Sequence, residues 1–179
     1  MKKEGVESSL EDMKGKALLF LSSREGIHSD FSNLIHSLVK NKGMNGVIIC
    51  FRNPAMMEKE HLDMAGLDSS KLYFIDCVTV AADFMPEQKN VFFILNNKDL
   101  GGIKMGLNNF LDRESNIDFV ILDILDVLLY YNSIEKIKDL MAAIRDRSRS
   151  KPFSLMAFVN KDNIMLLDNL RDLFDSITR

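Results

Sequence analysis

The chain has 179 residues, 46% of them hydrophobic and 27% charged, which suits one domain with a substantial hydrophobic core. A net charge of −3 excludes a global field that draws in nucleic acid or anionic membrane. No apolar run approaches the roughly 20 residues of a membrane span, and residues 1–16 lack the apolar core of a signal peptide, so a cytoplasmic protein is expected. Cys50 and Cys77 lie in or just after apolar runs and read as buried thiols. Neither they nor His28, His36 and His61 have the spacing of a metal site, so no metal is expected.

Residues 1–15 are polar and stand apart from a single domain expected over 16–179. The unbroken apolar run 17–21 (ALLFL) reads as a buried strand. Phe31, Leu34, Ile35 and Leu38 recur at helical spacing and predict a helix from Ser29 to about Asn41, capped by Ser29 or Asp30 and stopped at Gly43. Residues 46–51 (GVIICF) give a second strand, and Pro54 opens a helix that runs to Ala65 and ends at Gly66. Residues 72–75 are a third strand closed by Asp76, 81–90 a loop broken by Pro86, and 91–95 (VFFIL) a short fourth strand. A helix over 99–111 turns Leu100, Ile103, Leu107 and Phe110 inward, and its Gly102 and Gly106 predict close packing against a neighbour. A fifth strand over 117–122 ends at Asp123. A helix over 134–147, on Ile134, Ile137, Leu140, Met141 and Ile144, leads to a strand over 153–159 and a closing helix over 163–177.

Strands and helices alternate, and most strands are apolar without a period of two. That pattern predicts an α/β fold of three layers, doubly wound, with a mostly parallel sheet covered by helices on both faces. Ligands of such sheets sit at the carboxyl ends of the strands, where this chain carries residues 22–29, Arg52, Asn53 and Asp123.

The segment "FLSSREGIHSDF" joins the first strand to the first helix, the place of a phosphate loop. A working loop reads G-x-x-x-x-G-K-[ST]: glycines let backbone N–H groups wrap the phosphates, the lysine neutralises them, and the hydroxyl binds Mg²⁺. On that frame Ser22 and Ile27 take the glycine places, Gly26 falls one position early, His28 replaces the lysine, and Ser29 keeps the hydroxyl. Ile27 puts a β-branched side chain where backbone must approach a phosphate, and Glu25 adds a negative charge. The expectation is a ruined loop, a structural turn that retains at most the weak anion affinity of a helix N-terminus.

With the other strands in place, the chain resembles the RecA-like ATPase superfamily, and within it the KaiC-like ATPases. "ALLFLSSREGIHSDFSNLIHSLV" sits at the strand, phosphate loop and helix of that family. "GVIICFRNPAMMEKEHLDMAGLDSSKLYFID" resembles its second strand, proline-started helix and return strand, and "IDFVILDILDVLLYY" its Walker B strand. The resemblance implies a RecA-like P-loop NTPase fold, with Asp123 as the Mg²⁺-holding aspartate and Ser29 as the loop hydroxyl. The family's catalytic glutamate falls in Phe51-Arg52-Asn53, where no carboxylate stands, and a protonated arginine cannot act as base. Loop lysine, glycine pair and base are all replaced, so hydrolysis is expected to be absent. The implied function is a regulatory or protein-interaction module, in signal transduction, without a cofactor. A non-hydrolysing nucleotide sensor is the alternative, with Ser29, Asp123 and either His28 or Arg24 at the phosphates, Ser22 as a further vestigial site position, and weak nucleotide and Mg²⁺ binding; a weak ATPase ranks below it. Asp123, like Asp126 after it, also fits a turn cap.

Arg145, Arg147, Arg149 and Lys151 concentrate positive charge at a helix end, where cations favour the dipole; they are the one candidate surface for nucleic acid, which lacks interleaved aromatics. Met56, Met57, Met64 and Met105 read mostly as core, with any exposed member marking a contact surface. Part of Leu128–Tyr131 fits a subunit contact, and the expected partners are another protein or a second copy, as monomer or dimer.

Overall fold

The computed structural model describes residues 13–79, 88–94 and 98–178. The expected loop over 81–90 with Pro86, the end of the fourth strand, and residues 1–12 lie largely or wholly outside them. Among the described residues, β1 (Ala17–Ser22), β2 (Gly46–Cys50), β3 (Leu72–Asp76), β4 (Val91–Phe93), β5 (Phe119–Leu122), β6 (Ser154–Asn160) and β7 (Ser176–Thr178) form one sheet. Its order is β4-β3-β2-β5-β6-β1-β7, and every pairing is parallel. The strands are apolar on both sides because both sides are covered. Helices α1 (Ile27–His36) and α2 (Ala55–Met64) pack on one face, over Leu18, Phe20, Ile48 and Phe74. Helices α3 (Leu100–Arg113), α4 (Ile134–Ser150) and α5 (Ile164–Leu170) pack on the other, over Leu19, Val47, Val120 and Ala157. This is the predicted three-layer α/β architecture.

Local chemistry sets the helix ends. Gly66 ends α2 at φ +74°, with its N–H on the Asp63 carbonyl (2.9 Å) and the Leu67 N–H on the Leu62 carbonyl (3.0 Å). That is the paired bonding of a glycine C-cap, completed by burial of Leu62 and Leu67. The glycines of α3 pack as predicted: a Cβ on Gly106 would stand 2.7 Å from the Phe92 ring.

Two elements depart from the sequence pattern. Helix α1 starts at Ile27, two residues before the predicted Ser29. Ile27 is buried and lies four residues before Phe31, so it opens the same apolar stripe. The closing helix stops at Leu170, passes through a 3₁₀ turn at Arg171–Leu173, and yields to β7. The helical spacing of Leu166, Leu170 and Phe174 is real, and all three are buried. The open edge of β1 nevertheless captures residues 175–178. The Asp175 N–H donates to the Ala17 carbonyl (2.8 Å) and the Ala17 N–H to an Asp175 carboxylate oxygen (2.8 Å). Buried backbone groups of β1 need partners, and that need overrides the local helical period.

Candidate functional site

The loop between β1 and α1 is four residues long, 23–26. It closes on itself: the Gly26 and Ile27 N–H groups donate to the Ser23 carbonyl (3.1 and 3.0 Å), and the Gly26 N–H also reaches the Ser23 hydroxyl (3.1 Å). Gly26 has φ −83° and ψ −21°, an ordinary helical conformation, and the positive-φ glycines lie elsewhere, at Gly15, Gly43 and Gly66. The buried Ser22 donates its hydroxyl to Asp30 (2.7 Å). His28 and Ser29 are exposed on the first turn of α1. The His28 ring meets His61 of α2 edge-on at 6.3 Å between centroids, and the Ser29 hydroxyl accepts from the Asn33 amide (3.4 Å).

Asp123 stands at the end of β5, two strands from the strand that leads into this loop. Strand β6 stands between β1 and β5, a lateral separation of roughly 10 Å at usual strand spacing. Register adds to the distance. Leu122 pairs with Ala157 and Ala157 with Leu19, so Asp123 lies level with Phe20, two residues short of Ser22. Asp123 belongs to a second polar cluster, joined to α1 through Arg52, which donates its N–H to Asp123 and places its guanidinium over Phe31.

That second cluster occupies the crevice between β2 and β5. There β2 leads to α2 on one face and β5 toward α4 on the other, the divergence at which doubly wound sheets bind ligands. One Asp123 oxygen accepts the Phe51 N–H (2.9 Å) and the other the Arg52 N–H (3.1 Å). Burial pushes its carboxyl from the ordinary 3.8 up to about 7, against the pull of those two N–H groups and the Arg52 charge. The Arg52 guanidinium lies 5.6 Å from the Phe31 ring centroid and 4.0 Å from the carboxylate of Glu58, which is itself buried and accepts the Asn53 amide (3.1 Å). Cys50, in the same neighbourhood, has its thiol held well above the ordinary range by burial and then by Asp123.

Because the folded-state value lies above the unfolded one, Asp123 keeps its proton on folding between pH 3.8 and about 7. Its contribution to stability is full below that window, falls as pH rises through it, and is flat above. The carbonyl-region NMR signal of Asp123 is expected to titrate near 7, and the wild type to lose stability across the window more steeply than Asp123→Asn. A midpoint near 4 would contradict this.

Two further carboxylates complete the same edge. Asp76, fully buried at the end of β3, accepts the Ala55 N–H (2.8 Å), the Val78 N–H (2.9 Å), the Thr79 N–H (2.8 Å) and the Thr79 hydroxyl (2.7 Å). It thereby caps α2, whose N-cap residue Pro54 offers no side-chain acceptor. Asp126 accepts the Asn160 N–H (2.9 Å) and the Asn163 amide (2.7 Å), tying the turn after β5 to the end of β6. The capping role open to Asp123 and Asp126 in the sequence is the geometry both adopt. Sequence reasoning misses Asp76 and Glu58 as members of this edge; the one available signal, for Asp76, is a carboxylate closing an apolar strand.

The basic residues near the end of α4 are engaged locally. Arg145 binds Asp175 (2.6 Å) and the Leu173 carbonyl (2.5 Å), Arg147 pairs with Asp112, Arg149 with Asp146 (3.3 Å), and Lys151 reaches the Glu114 carbonyl (3.0 Å). Met57, Met64 and Met105 are exposed, which corrects the expectation that most of these methionines fill the core. Tyr130 and Tyr131 are exposed, while Leu128 between the strands and α4 is buried. Cys50 and Cys77 are free and buried, as read from the sequence. Among the described residues no helix is long and apolar enough to cross a membrane.

No protein-family model matches the chain, and no curated protein matches it by sequence. Its architecture is that of the RecA-like α/β proteins. It is similar to the crystal structure of a KaiC-like protein from the hyperthermophilic archaeon Pyrococcus horikoshii, with TM-score 0.67 over 92% of this chain and 71% of that one, at 10% identity. The fold expected from the resemblance is therefore the fold observed.

Proposed function

We propose that the chain is a non-catalytic RecA/KaiC-like domain acting as a regulatory or protein-interaction module, in signal transduction. One observation carries the reading: the carboxylates at the carboxyl edge of the sheet, where a doubly wound protein holds its ligand, are engaged by the chain's own donors. Asp30, Asp76, Asp123 and Asp126 each accept from protein hydroxyl, amide or backbone N–H groups. The loop after β1 is a short turn with no left-handed residue, so its N–H groups do not form the concave nest that cradles a phosphate. Arg52 stands where a base would be needed, and it donates. The exposed Tyr130, Tyr131, Met64 and Met165 supply apolar surface suited to a protein contact.

Isothermal titration of the purified chain with Mg·ATP and Mg·ADP tests the reading. Expected are no binding heat at millimolar nucleotide and no ATP turnover above background. Micromolar binding without turnover would replace it with a nucleotide sensor. Turnover abolished by Asp123→Ala would replace it with an ATPase.

A further inference from the structure

Helices α1 and α2 cover the same face of the sheet. At its outer rim the imidazole of His28, on the first turn of α1, meets that of His61, on the last turn of α2, with 6.3 Å between ring centroids and 71° between planes. Both residues are exposed, and among the described residues neither side chain has another partner. His61 is also the middle member of a row. Met57, His61 and Met64 stand at i, i+4 and i+7 of α2, within an arc of roughly 60° about its axis. The buried residues of the helix, Ala55, Glu58 and Leu62, face another way. Met57 is 46% exposed and Met64 86%, so both thioethers are open to a ligand.

The spacing suits one ion. A helix rises about 1.5 Å per residue, so each methionine lies no more than about 6 Å along the axis from His61. The flexible, polarizable thioether chain spans that distance. Two imidazoles on one ion each hold it at about 2 Å from nitrogen, which puts their ring centres up to roughly 6.4 Å apart. His28 and His61 already stand at that separation. For an apolar contact, a histidine at the centre of a methionine row is a defect. For a soft ion it is the middle ligand.

The donor set also selects the ion. Thioether sulfur and imidazole nitrogen suit Cu(I), whereas Mg²⁺, Ca²⁺ and Mn²⁺ want oxygen. The carboxylate one turn below His61, Glu58, is buried and engaged by Arg52 and Asn53. Among the described residues no three His, Cys, Asp or Glu side chains gather as a metal site, which leaves harder ions without a ligand set. Sequence spacing hides the arrangement, because His28 and His61 come from different helices.

We propose that Met57, His61 and Met64, with His28 from the neighbouring helix, bind Cu(I). The ion ties α1 to α2 and uses no group of the Asp123 cluster.

The test is an NMR titration of the whole chain with Ag⁺, a redox-inert stand-in for Cu(I), and with Zn²⁺, read at the methionine methyls and histidine rings. Ag⁺ is expected to move Met57, Met64, His28 and His61 together and to saturate, while Met105 and His36 stay in place. Zn²⁺ is expected to bind at least about tenfold more weakly. Met57→Leu/Met64→Leu removes both sulfurs at exposed positions and keeps the apolar surface, and is expected to weaken Ag⁺ binding about tenfold or more. His61→Gln is expected to abolish the joint response, and His28→Gln to weaken it. Cu(I), titrated without oxygen, is expected to move the same four side chains. Equal affinity for Zn²⁺, unchanged Ag⁺ affinity in the leucine pair, shifts spread equally over Met105 and Met165, or uptake only with unfolding around the buried Cys50 and Cys77 would each overturn the proposal.

Discussion

Gly46→Ala is expected to be the most damaging single-methyl change in the sheet. A Cβ at Gly46 would stand 2.1, 2.3 and 2.4 Å from three atoms of the Phe119 ring. These residues are register partners in the β2–β5 pairing, and the ring is fully buried. The ring cannot yield into solvent, so either the two strands separate or Phe119 leaves its rotamer. Overpacking usually costs 1–3 kcal/mol, and a clash with a fixed ring belongs at or beyond the upper end, about 3 kcal/mol. Phe119→Ala alone is expected to cost about 3–5 kcal/mol through its cavity. The pair Gly46→Ala/Phe119→Leu is expected to be more stable than the sum of its singles, because each relieves the other. Denaturant midpoints for wild type, the two singles and the pair check this. Additive losses would mean that the ring does not bear on Gly46. The same strand pair flanks Asp123, so Gly46→Ala is also expected to raise amide exchange at Phe51 and Arg52.

Asp76→Ala is the second change of large effect. It removes the acceptor for three backbone N–H groups and one hydroxyl, two of those N–H groups within a turn and the third at the start of α2. Hydrogen bonds to a charged group contribute about 1.5–3 kcal/mol each, and a donor left unsatisfied in the interior costs about 1–3 kcal/mol. Partial rehydration prevents simple addition, so a loss of about 4 kcal/mol is expected, a large share of the 5–15 kcal/mol of a typical domain. Asp76→Asn keeps the shape but turns an NH₂ group toward one set of donors. It is expected to lie between alanine and wild type. Exchange protection should fall first at Ala55, Val78 and Thr79; a uniform fall over the whole sheet would argue against a local capping role.

The architecture is readable in the sequence because burial on both faces leaves a plain trace: runs such as 17–21, 46–51 and 119–122 admit no charged residue, and helical stripes separate them. Whatever depends on a distant partner is not readable. Residues 174–178 carry a helical period, and only the free edge of β1 turns their last part into a strand. Ile27 reads as loop when the frame of a phosphate motif is laid over it, whereas its burial belongs to the stripe of α1. At the candidate site the identities Ser22, His28, Ser29 and Asp123 are legible, but the placing of a strand between the first three and Asp123 is not. Strand order decides it, and β6, which separates β1 from β5, comes late in the chain. Asp76 reads as the end of a strand until Ala55, 21 residues away, is seen to depend on it. The engagement of Arg145 by Asp175 is equally invisible to spacing.

The position of β1 has a consequence for synthesis. This strand, the first of the described strands to be made, pairs only with β6 and β7, the last two. Its bond to Asp175 spans 158 residues. A chain emerging from the ribosome can assemble β2, β3, β4 and β5 while β1 waits with both edges open. The sheet closes only after residue 178 has cleared the exit tunnel, and until then the apolar run ALLFL needs shelter from pairing with a neighbouring nascent chain.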